Sequence, residues 1–254
     1  MFASVVTRHD GARRRGRRVA LLLLAPLALS ASASAGTGPG VAESERLSDE
    51  RTSTRWAHSE QRGTTIRRLP VRTSRTVARL RYLTEDGFPE VYLVLRRWTD
   101  PHGRTWLKVR IPMRPNGRRG WVRDSALGPL NLVRTRLVVD RRRQRATLYR
   151  SGRQVWKSRI GVGSPNTPTP EGRFWIRERI KVPNAGGPYG PWAFGTSAYS
   201  RLSDWPGGGV IGIHGTNQPQ LIPGRPSHGC IRVENQAIRR LALLMPVGTP
   251  VRIR

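Results

Sequence analysis

The first stretch of the chain with strand-like alternation of apolar and polar positions covers residues 66–128. It contains short runs rich in β-branched and aromatic residues, separated by turn sequences such as Glu85-Asp86-Gly87. The runs are Thr76–Leu80, Val91–Leu95, Trp106–Ile111 and Gly120–Val122. Several short strands packed so closely along the chain are typical of a small β-barrel. We therefore predict a small β-domain over residues 66–128.

A second stretch of alternation follows a short connection at 129–134. Four alternating apolar residues predict a β-hairpin, with Leu137 and Val139 before the turn and Ala146 and Leu148 after it. The apolar and glycine run 209–213 predicts a buried strand that delivers His214 to a loop. A closing strand is predicted at 251–253. The fold class is accordingly mainly β in both halves of the chain.

One helix and two loops complete the predicted second domain. An apolar stripe from Asn235 to Met245 predicts a helix with Asn235 as its N-cap. The proline-rich segment 161–174 predicts a stiff loop near the cleft. The segment 183–208 is rich in glycine and proline and predicts a long loop that covers the cleft. Tyr189 and Trp192 in that loop are either substrate contacts or core residues, and the sequence leaves both open.

The N-terminus has the pattern of an export signal. A basic region precedes an apolar run, Val19–Leu29, that is too short to span a bilayer, which takes about 20 residues. Small residues place a cleavage site after Ala35, which makes 1–35 a signal peptide; an uncleaved anchor is the alternative. Residues 36–65 are polar with little periodicity and predict a linker. We expect the protein to be exported to the cell wall or extracytoplasmic space.

Charge and cysteine content narrow the choice of partners. The formal net charge is +30, and nearly all of the basic residues are arginines spread along the chain. This distribution argues against a nucleic-acid-binding protein and favours anionic wall polymers or a membrane surface as partners. Cys230 is the only cysteine, so no intramolecular disulfide can form.

The single cysteine lies beside histidines, as expected for a nucleophile and its base. Residues 227–232 have the sequence Ser-His-Gly-Cys-Ile-Arg. The base is either His228, two positions from Cys230, or His214 further upstream, and spacing does not choose between them. The amides of Gly229 and Cys230 are candidates to hold an oxyanion, with Ser227 as a further donor.

These residues resemble the signature of the L,D-transpeptidase (YkuD-like) family of peptidoglycan cross-linking enzymes, and the resemblance extends over about 133–253. It implies a β-sandwich catalytic domain with one helix after the cysteine. It also implies that Cys230 is the nucleophile and His214 its base, oriented by the carbonyl of Gly215. His228 would line the site, and Arg232 would support it or meet a substrate carboxylate. The Gly-Trp-Val sequence at 120–122 resembles bacterial SH3-like modules, which suggests an SH3-like accessory barrel.

The function implied by the resemblance is acyl transfer from a peptidoglycan tetrapeptide stem to an amine through a cysteine thioester, by a monomer without a cofactor or metal. Such enzymes are usually acylated by carbapenems. This hypothesis predicts a thiol of lowered pKa. The alternatives are a hydrolytic L,D-carboxypeptidase, a non-catalytic wall-binding protein, a buried structural cysteine, and a zinc site formed by His214, His228 and Cys230.

Overall fold

The structure, a computed structural model, describes residues 42–204 and 206–254. The predicted signal peptide 1–35 lies outside this range. The first half of the described chain forms an eight-stranded sheet, in the order β4-β3-β7-β6-β5-β2-β8 with β1 paired to β5. Its strands are β1 (Glu43–Arg46), β2 (Thr54–His58), β3 (Thr65–Arg67), β4 (Thr76–Arg79), β5 (Val91–Thr99), β6 (Thr105–Arg110), β7 (Arg119–Arg123) and β8 (Asn131–Val133). The four runs picked out from the sequence are confirmed as strands.

The predicted linker and the SH3-like barrel are not borne out in the same way. Residues 43–46 and 54–58 were expected to be linker, but both segments pair with the long strand β5. Their pattern is too polar to predict a strand, and backbone pairing with β5 decides their conformation. Trp56 also packs on the second half of the chain, beside Val247. In the described residues the sheet is an open path from β4 to β8, so a closed barrel is not confirmed.

The second half consists of two sheets and one helix. The five-stranded sheet has the order β11-β10-β9-β19-β13. Its strands are β9 (Thr135–Asp140), β10 (Arg145–Arg150), β11 (Arg153–Arg159), β13 (Gly172–Trp175) and β19 (Pro250–Ile253). The six-stranded sheet has the order β14-β15-β16-β18-β12-β17. Its strands are β12 (Gly161–Gly163), β14 (Ile180–Lys181), β15 (Trp192–Tyr199), β16 (Val210–His214), β17 (Gly224–Ser227) and β18 (Ile231–Arg232).

One hydrophobic core joins these two sheets, which makes the second half a β-sandwich. The predicted hairpin is confirmed, with Leu137 opposite Leu148 and Val139 opposite Ala146. These side chains share a fully buried cluster with Ile211 of β16. Since side chains alternate along a strand, the neighbours of the core residues lie on the two outer faces of the sandwich. The chemistry described below lies on one of those outer faces.

The glycine- and proline-rich segment 183–208 is not one long loop, so that prediction was wrong. Residues 192–199 form strand β15, paired antiparallel with β16. Phe194 and Ala198 are buried in the core. Tertiary pairing overrides the turn signals here because β16 offers a buried edge whose backbone groups need partners.

The predicted helix is confirmed as α1 (Asn235–Leu244), but its predicted cap is wrong. Glu234 occupies the N-cap position and makes no side-chain cap bond. The Asn235 side chain instead accepts the amide hydrogen of Thr216 at 2.9 Å. Asn235 is therefore used to hold the loop that follows His214. No helix within 42–204 and 206–254 has the length and apolarity needed to cross a membrane.

The eight-stranded sheet packs against the sandwich through buried contacts. Trp175 donates its indole hydrogen to the carbonyl of Val91 at 2.8 Å. Arg177 is buried and pairs with the fully buried Glu90 through two hydrogen bonds, at 2.7 and 2.5 Å. A buried charge needs such a partner, because removing one member leaves the other uncompensated. This junction fixes the first sheet against the domain that carries the cysteine.

Candidate active site

His214 ends strand β16 on an outer face of the sandwich. Ile211 and Ile213 point into the core, and the alternation puts Gly212 and His214 on the other side of the sheet. The imidazole is only 5% exposed. Its Nδ1 lies 2.6 Å from the carbonyl oxygen of Gly215. A carbonyl oxygen only accepts hydrogen bonds, so Nδ1 carries the proton and Nε2 keeps its lone pair.

Cys230 follows a turn whose backbone requires glycine. Gly229 has a φ of 124°, and a Cβ there would lie 2.7 Å from the Ile211 side chain. The backbone angle strains any larger residue at this position, and its Cβ would also displace the end of the Ile211 side chain. The turn leads into β18, which pairs parallel to β16 and so brings Cys230 beside Gly212. The Gly212 amide donates a hydrogen bond to the Cys230 sulfur at 3.3 Å.

Two hydroxyl groups brace this turn. The Ser227 hydroxyl donates to the carbonyl of Cys230 at 2.6 Å and accepts the amide hydrogen of Gly229 at 3.2 Å. The Thr169 hydroxyl donates to the carbonyl of Gly229 at 2.8 Å and accepts the amide of Gly163 at 2.9 Å. Of the two amides considered for an oxyanion, that of Gly229 is thus engaged by Ser227 in the free protein. Ser227 acts on the backbone of the turn.

The missing side chain at Gly212 opens the space between the imidazole and the thiol. A Cβ at this position would lie 3.6 Å from Cδ2 of His214 and 3.8 Å from the sulfur of Cys230. Both functional groups therefore border the same small volume in front of β16. His214, one of the two histidines left open by spacing, borders this volume together with the sulfur, and its Nδ1 is held by the Gly215 carbonyl.

A cavity of about 130 Å³ brings most of the predicted site residues together. Five of them line it, namely His214, Ser227, His228, Cys230 and Arg232. Gly215 and Gly229 do not line it and act through the backbone contacts already described. A volume this small holds a reacting group but not a whole peptide, since ligand pockets usually measure about 300–1,000 Å³.

Burial controls the protonation of the pair. It lowers the pKa of His214 to about 4, assisted by the charge of Arg232 and opposed by the hydrogen bond to Gly215. Burial also raises the pKa of the Cys230 thiol, although the Gly212 amide and Arg232 act in the opposite direction. The predicted lowering of the thiol pKa is therefore wrong. At neutral pH the free protein holds a neutral thiol and a neutral imidazole.

Several contributors were missed or left open by the sequence. Tyr189 lines the cavity, with its ring centroid 4.9 Å from that of His214 in an edge-on arrangement. Trp192 packs against the core instead, which separates the two aromatic residues that the sequence could not distinguish. Thr169 was not singled out, although it lies in the predicted stiff loop. Its role depends on a contact across 60 positions, which no local pattern reveals.

The loop after β15 also borders the cavity, through Ser200 and Gly209. The first sheet holds this loop from outside. The Arg114 guanidinium donates hydrogen bonds to the carbonyls of Ser200 (3.1 Å), Leu202 (3.1 Å) and Gly208 (2.9 Å). The 112–118 loop of the first half thus supports one wall of the site. Across 42–204 and 206–254, no group of three or more His, Cys, Asp and Glu side chains has an arrangement that could hold a metal ion.

The fold and the site define a class of protein. A thiol and an imidazole border one cavity on a β-sandwich, and these are the residue types of a cysteine nucleophile and its base. Residues 134–253 match the YkuD family model, described as the L,D-transpeptidase catalytic domain. The matched range begins one residue before β9 and ends with the last residue of β19. An L,D-transpeptidase catalytic domain in the second half of the chain is thereby supported.

Curated relatives agree with this match. The YkuD protein of Bacillus licheniformis, provisionally named an L,D-transpeptidase, is 37% identical over 118 residues, which cover 46% of this chain and 64% of that protein. The corresponding protein of Bacillus subtilis strain 168 is 37% identical over 107 residues, covering 42% of this chain and 58% of its own length. The chain therefore spans about six-tenths of these relatives.

Among solved structures, a mutant L,D-transpeptidase of Enterococcus faecium is 28% identical to this chain. The match covers 47% of this chain and 49% of that one, with a TM-score of 0.38. An L,D-transpeptidase of Mycobacterium smegmatis is 15% identical to this chain. That match covers 59% of this chain and 90% of the other, with a TM-score of 0.39.

Proposed function

We propose that this protein is a peptidoglycan L,D-transpeptidase that forms cross-links through a thioester on Cys230. The observation that carries the proposal is the hydrogen bond from Nδ1 of His214 to the Gly215 carbonyl, because it leaves Nε2 as a base beside the only thiol. The family match over 134–253 supports the same reaction. The acyl donor is a tetrapeptide stem and the acceptor is a side-chain amine of a neighbouring stem.

The first half-reaction is acylation. The sulfur of Cys230 attacks the carbonyl carbon before the terminal residue of the stem, while Nε2 of His214 takes the thiol proton. The carbon–nitrogen bond then breaks, and the protonated imidazole returns this proton to the departing amine. The products are a D-amino acid and a thioester on Cys230.

The second half-reaction is transfer. The acceptor amine attacks the thioester carbonyl and gives up a proton to Nε2 of His214. The carbon–sulfur bond breaks, the new amide forms, and the proton returns to the sulfur. The cycle uses only groups of this chain and its substrates, so it needs no cofactor.

The neutral resting pair suits this sequence of steps. Because burial keeps both the thiol and the imidazole uncharged, the proton moves only when the sulfur attacks. Charge then develops on the substrate oxygen, where we place the amide of Cys230 as a donor. The Gly229 amide is less suitable because Ser227 already engages it.

Arg232 is proposed to bind the carboxylate of the stem. It lines the cavity, and its buried Nε has no hydrogen-bond partner in the described chain. Its Nη1 donates to the side chain of Gln218 at 2.9 Å, which orients the guanidinium. Arginine is suited to this role because its planar fork matches a carboxylate. Tyr189 at the rim would contact the part of the stem that the cavity cannot hold.

The proposal is tested with a disaccharide-tetrapeptide and an amine acceptor, analysed by chromatography and mass spectrometry. The wild type should form the cross-linked dimer, and Cys230→Ala should form none. His214→Ala should lose acylation, whereas His228→Ala should retain it. Loss of acylation in His228→Ala alone would mean that His228, and not His214, is the base. A tripeptide product without dimer would identify a carboxypeptidase, and no product from folded protein would favour a wall-binding protein.

Export is a separate proposal. The signal-like residues 1–35 would direct the chain out of the cytoplasm. Peptidoglycan stems and anionic wall polymers are present on the outer side of the membrane. Expression of the full chain in a bacterial host, followed by mass determination of the extracytoplasmic protein, tests this. We expect a monomer that begins at Gly36. Protein found only in the cytoplasm with residues 1–35 attached would contradict the proposal.

A further inference from the structure

A second cavity lies on the other outer face of the sandwich. Its volume is about 340 Å³, and five arginines and two carboxylates contribute its charged lining. These residues are Arg46, Asp49, Glu50, Arg51, Arg136, Arg173 and Arg252. None of them lines the cavity that contains Cys230. So basic a concave surface, away from the cysteine, calls for an explanation of its own.

The strand pattern places three of these arginines together. Arg136, Arg252 and Arg173 belong to the neighbouring strands β9, β19 and β13 of the five-stranded sheet. Their sequence neighbours point into the core; they are Leu137, Val251 and Phe174. Alternation therefore puts the arginines on the outer face. Arg173 and Arg252 are directly opposite each other, a placement that is unfavourable for like charges.

The two acidic residues offset the five arginines only in part, although Glu50 lies 3.6 Å from Arg173. Glu50 forms a two-pronged ion pair with Arg110, which does not line the cavity, with bonds of 2.5 and 2.9 Å. Asp49 accepts hydrogen bonds from the amides and the hydroxyl of residues 51–53. Within the described chain no carboxylate forms an ion pair with Arg136 or Arg252. Nε of Arg136 is also buried without a hydrogen-bond partner there.

We propose that this cavity is a second binding site, for a phosphate group carried by an anionic polymer. Guanidinium groups bind phosphate through paired hydrogen bonds, and several of them together favour a multiply charged ligand over a single carboxylate. The volume accommodates a phosphate with the groups on either side of it. The site is on the opposite face from Cys230, so a bound polymer leaves the thiol accessible. The inference does not depend on the proposed acyl transfer.

The experiment measures binding of poly(glycerol phosphate) to the purified protein by calorimetry, at low and at physiological ionic strength. Arg136→Gln/Arg252→Gln removes two charges from the cavity. The matched control, Arg239→Gln/Arg240→Gln, removes two charges from the exposed face of α1. We expect the cavity variant to bind at least about tenfold more weakly and the control to bind like the wild type. The single variant Arg252→Lys keeps the charge but not the planar guanidinium, so it should bind more weakly than the wild type and more tightly than the double cavity variant.

Two further probes identify the source of the phosphate. Inorganic phosphate should bind the wild type more weakly than the polymer does, and the cavity variant should bind it more weakly still. Phosphatidylglycerol vesicles that bind as tightly as the polymer, and through the same two arginines, would overturn the polymer as the source. Equal losses in the cavity variant and the α1 control would overturn the site itself, since diffuse charge would then explain binding. Melting temperature and acylation of Cys230 monitor the fold in each variant.

Discussion

The buried imidazole of His214 makes a quantitative prediction about pH. Burial lowers its pKa to about 4, well below the ordinary histidine value near 6.5. The carbonyl of Gly215 holds Nδ1–H, so the neutral tautomer has its lone pair on Nε2. The base is therefore active wherever the pH exceeds about 5. Lowering the pH from 7 to 5 is the perturbation that distinguishes this site from one with an ordinary histidine.

The size of the effect follows from the two pKa values. With a pKa of about 4, roughly nine-tenths of the imidazole is still neutral at pH 5, so the acylation rate constant should fall by only about a tenth. An unshifted imidazole would be only about 3% neutral at pH 5, and the rate constant would fall about 25-fold. The two cases differ by more than an order of magnitude.

The assay is the rate of acylation of Cys230 by a carbapenem, followed by intact-protein mass spectrometry between pH 5 and pH 8 at constant ionic strength. Cys230→Ala reports any adduct formed elsewhere, and tryptophan fluorescence checks the fold at each pH. A loss of tenfold or more between pH 7 and pH 5 would refute the neutral buried base. A rate that rises tenfold per unit up to pH 8 would show that the thiolate forms without His214.

Three other predictions concern the surroundings of the site. Gly212→Ala should slow acylation at least about tenfold, since its methyl enters the space between His214 and Cys230, yet leave the melting temperature nearly unchanged because its contacts of 3.6–3.8 Å are ordinary. Arg114→Gln should slow acylation about tenfold by releasing the loop that it holds through three carbonyls. Glu178→Gln should gain unfolding free energy relative to the wild type as the pH rises from 4.5 to 8, because burial, together with the neighbouring Asp86 carboxylate, raises the pKa of Glu178 to about 7 and the wild type loses stability as that carboxyl ionises.

Each of these has a matched control and a contradicting result. Gly186→Ala adds a methyl that meets only Asn184, at 3.7 Å, and equal slowing there would remove the steric explanation. Arg118→Gln changes an exposed arginine of the same loop as Arg114, and it should leave acylation unchanged, as measured by mass spectrometry. For Glu178, denaturant unfolding at several pH values is compared with Glu171→Gln at an exposed position; a gain that does not grow with pH would be inconsistent with a buried carboxyl.

Much of the second domain follows from local pattern alone. The alternation at 137–148 predicts a hairpin because one face of each strand is buried, and the structure contains it. The apolar run before His214 predicts a strand ending at this residue, which is also observed. The order Ser-His-Gly-Cys indicates a thiol nucleophile beside histidines. The sequence therefore determined which elements carry the two reacting groups.

Only the tertiary structure decided where His214 lies relative to the thiol and how burial shifts the pKa values of the two groups. His214 and His228 are equivalent by spacing, and the parallel pairing of β16 with β18 is what brings Gly212 and His214 beside the turn of Cys230. The pKa of the thiol is raised because the fold removes it from water, a property that neighbouring residues in sequence do not report. Strand β15 and the use of Asn235 in a loop contact likewise depend on partners far along the chain. Local pattern reflects which face of an element is buried, whereas solvation and long-range hydrogen bonds exist only once the elements have packed.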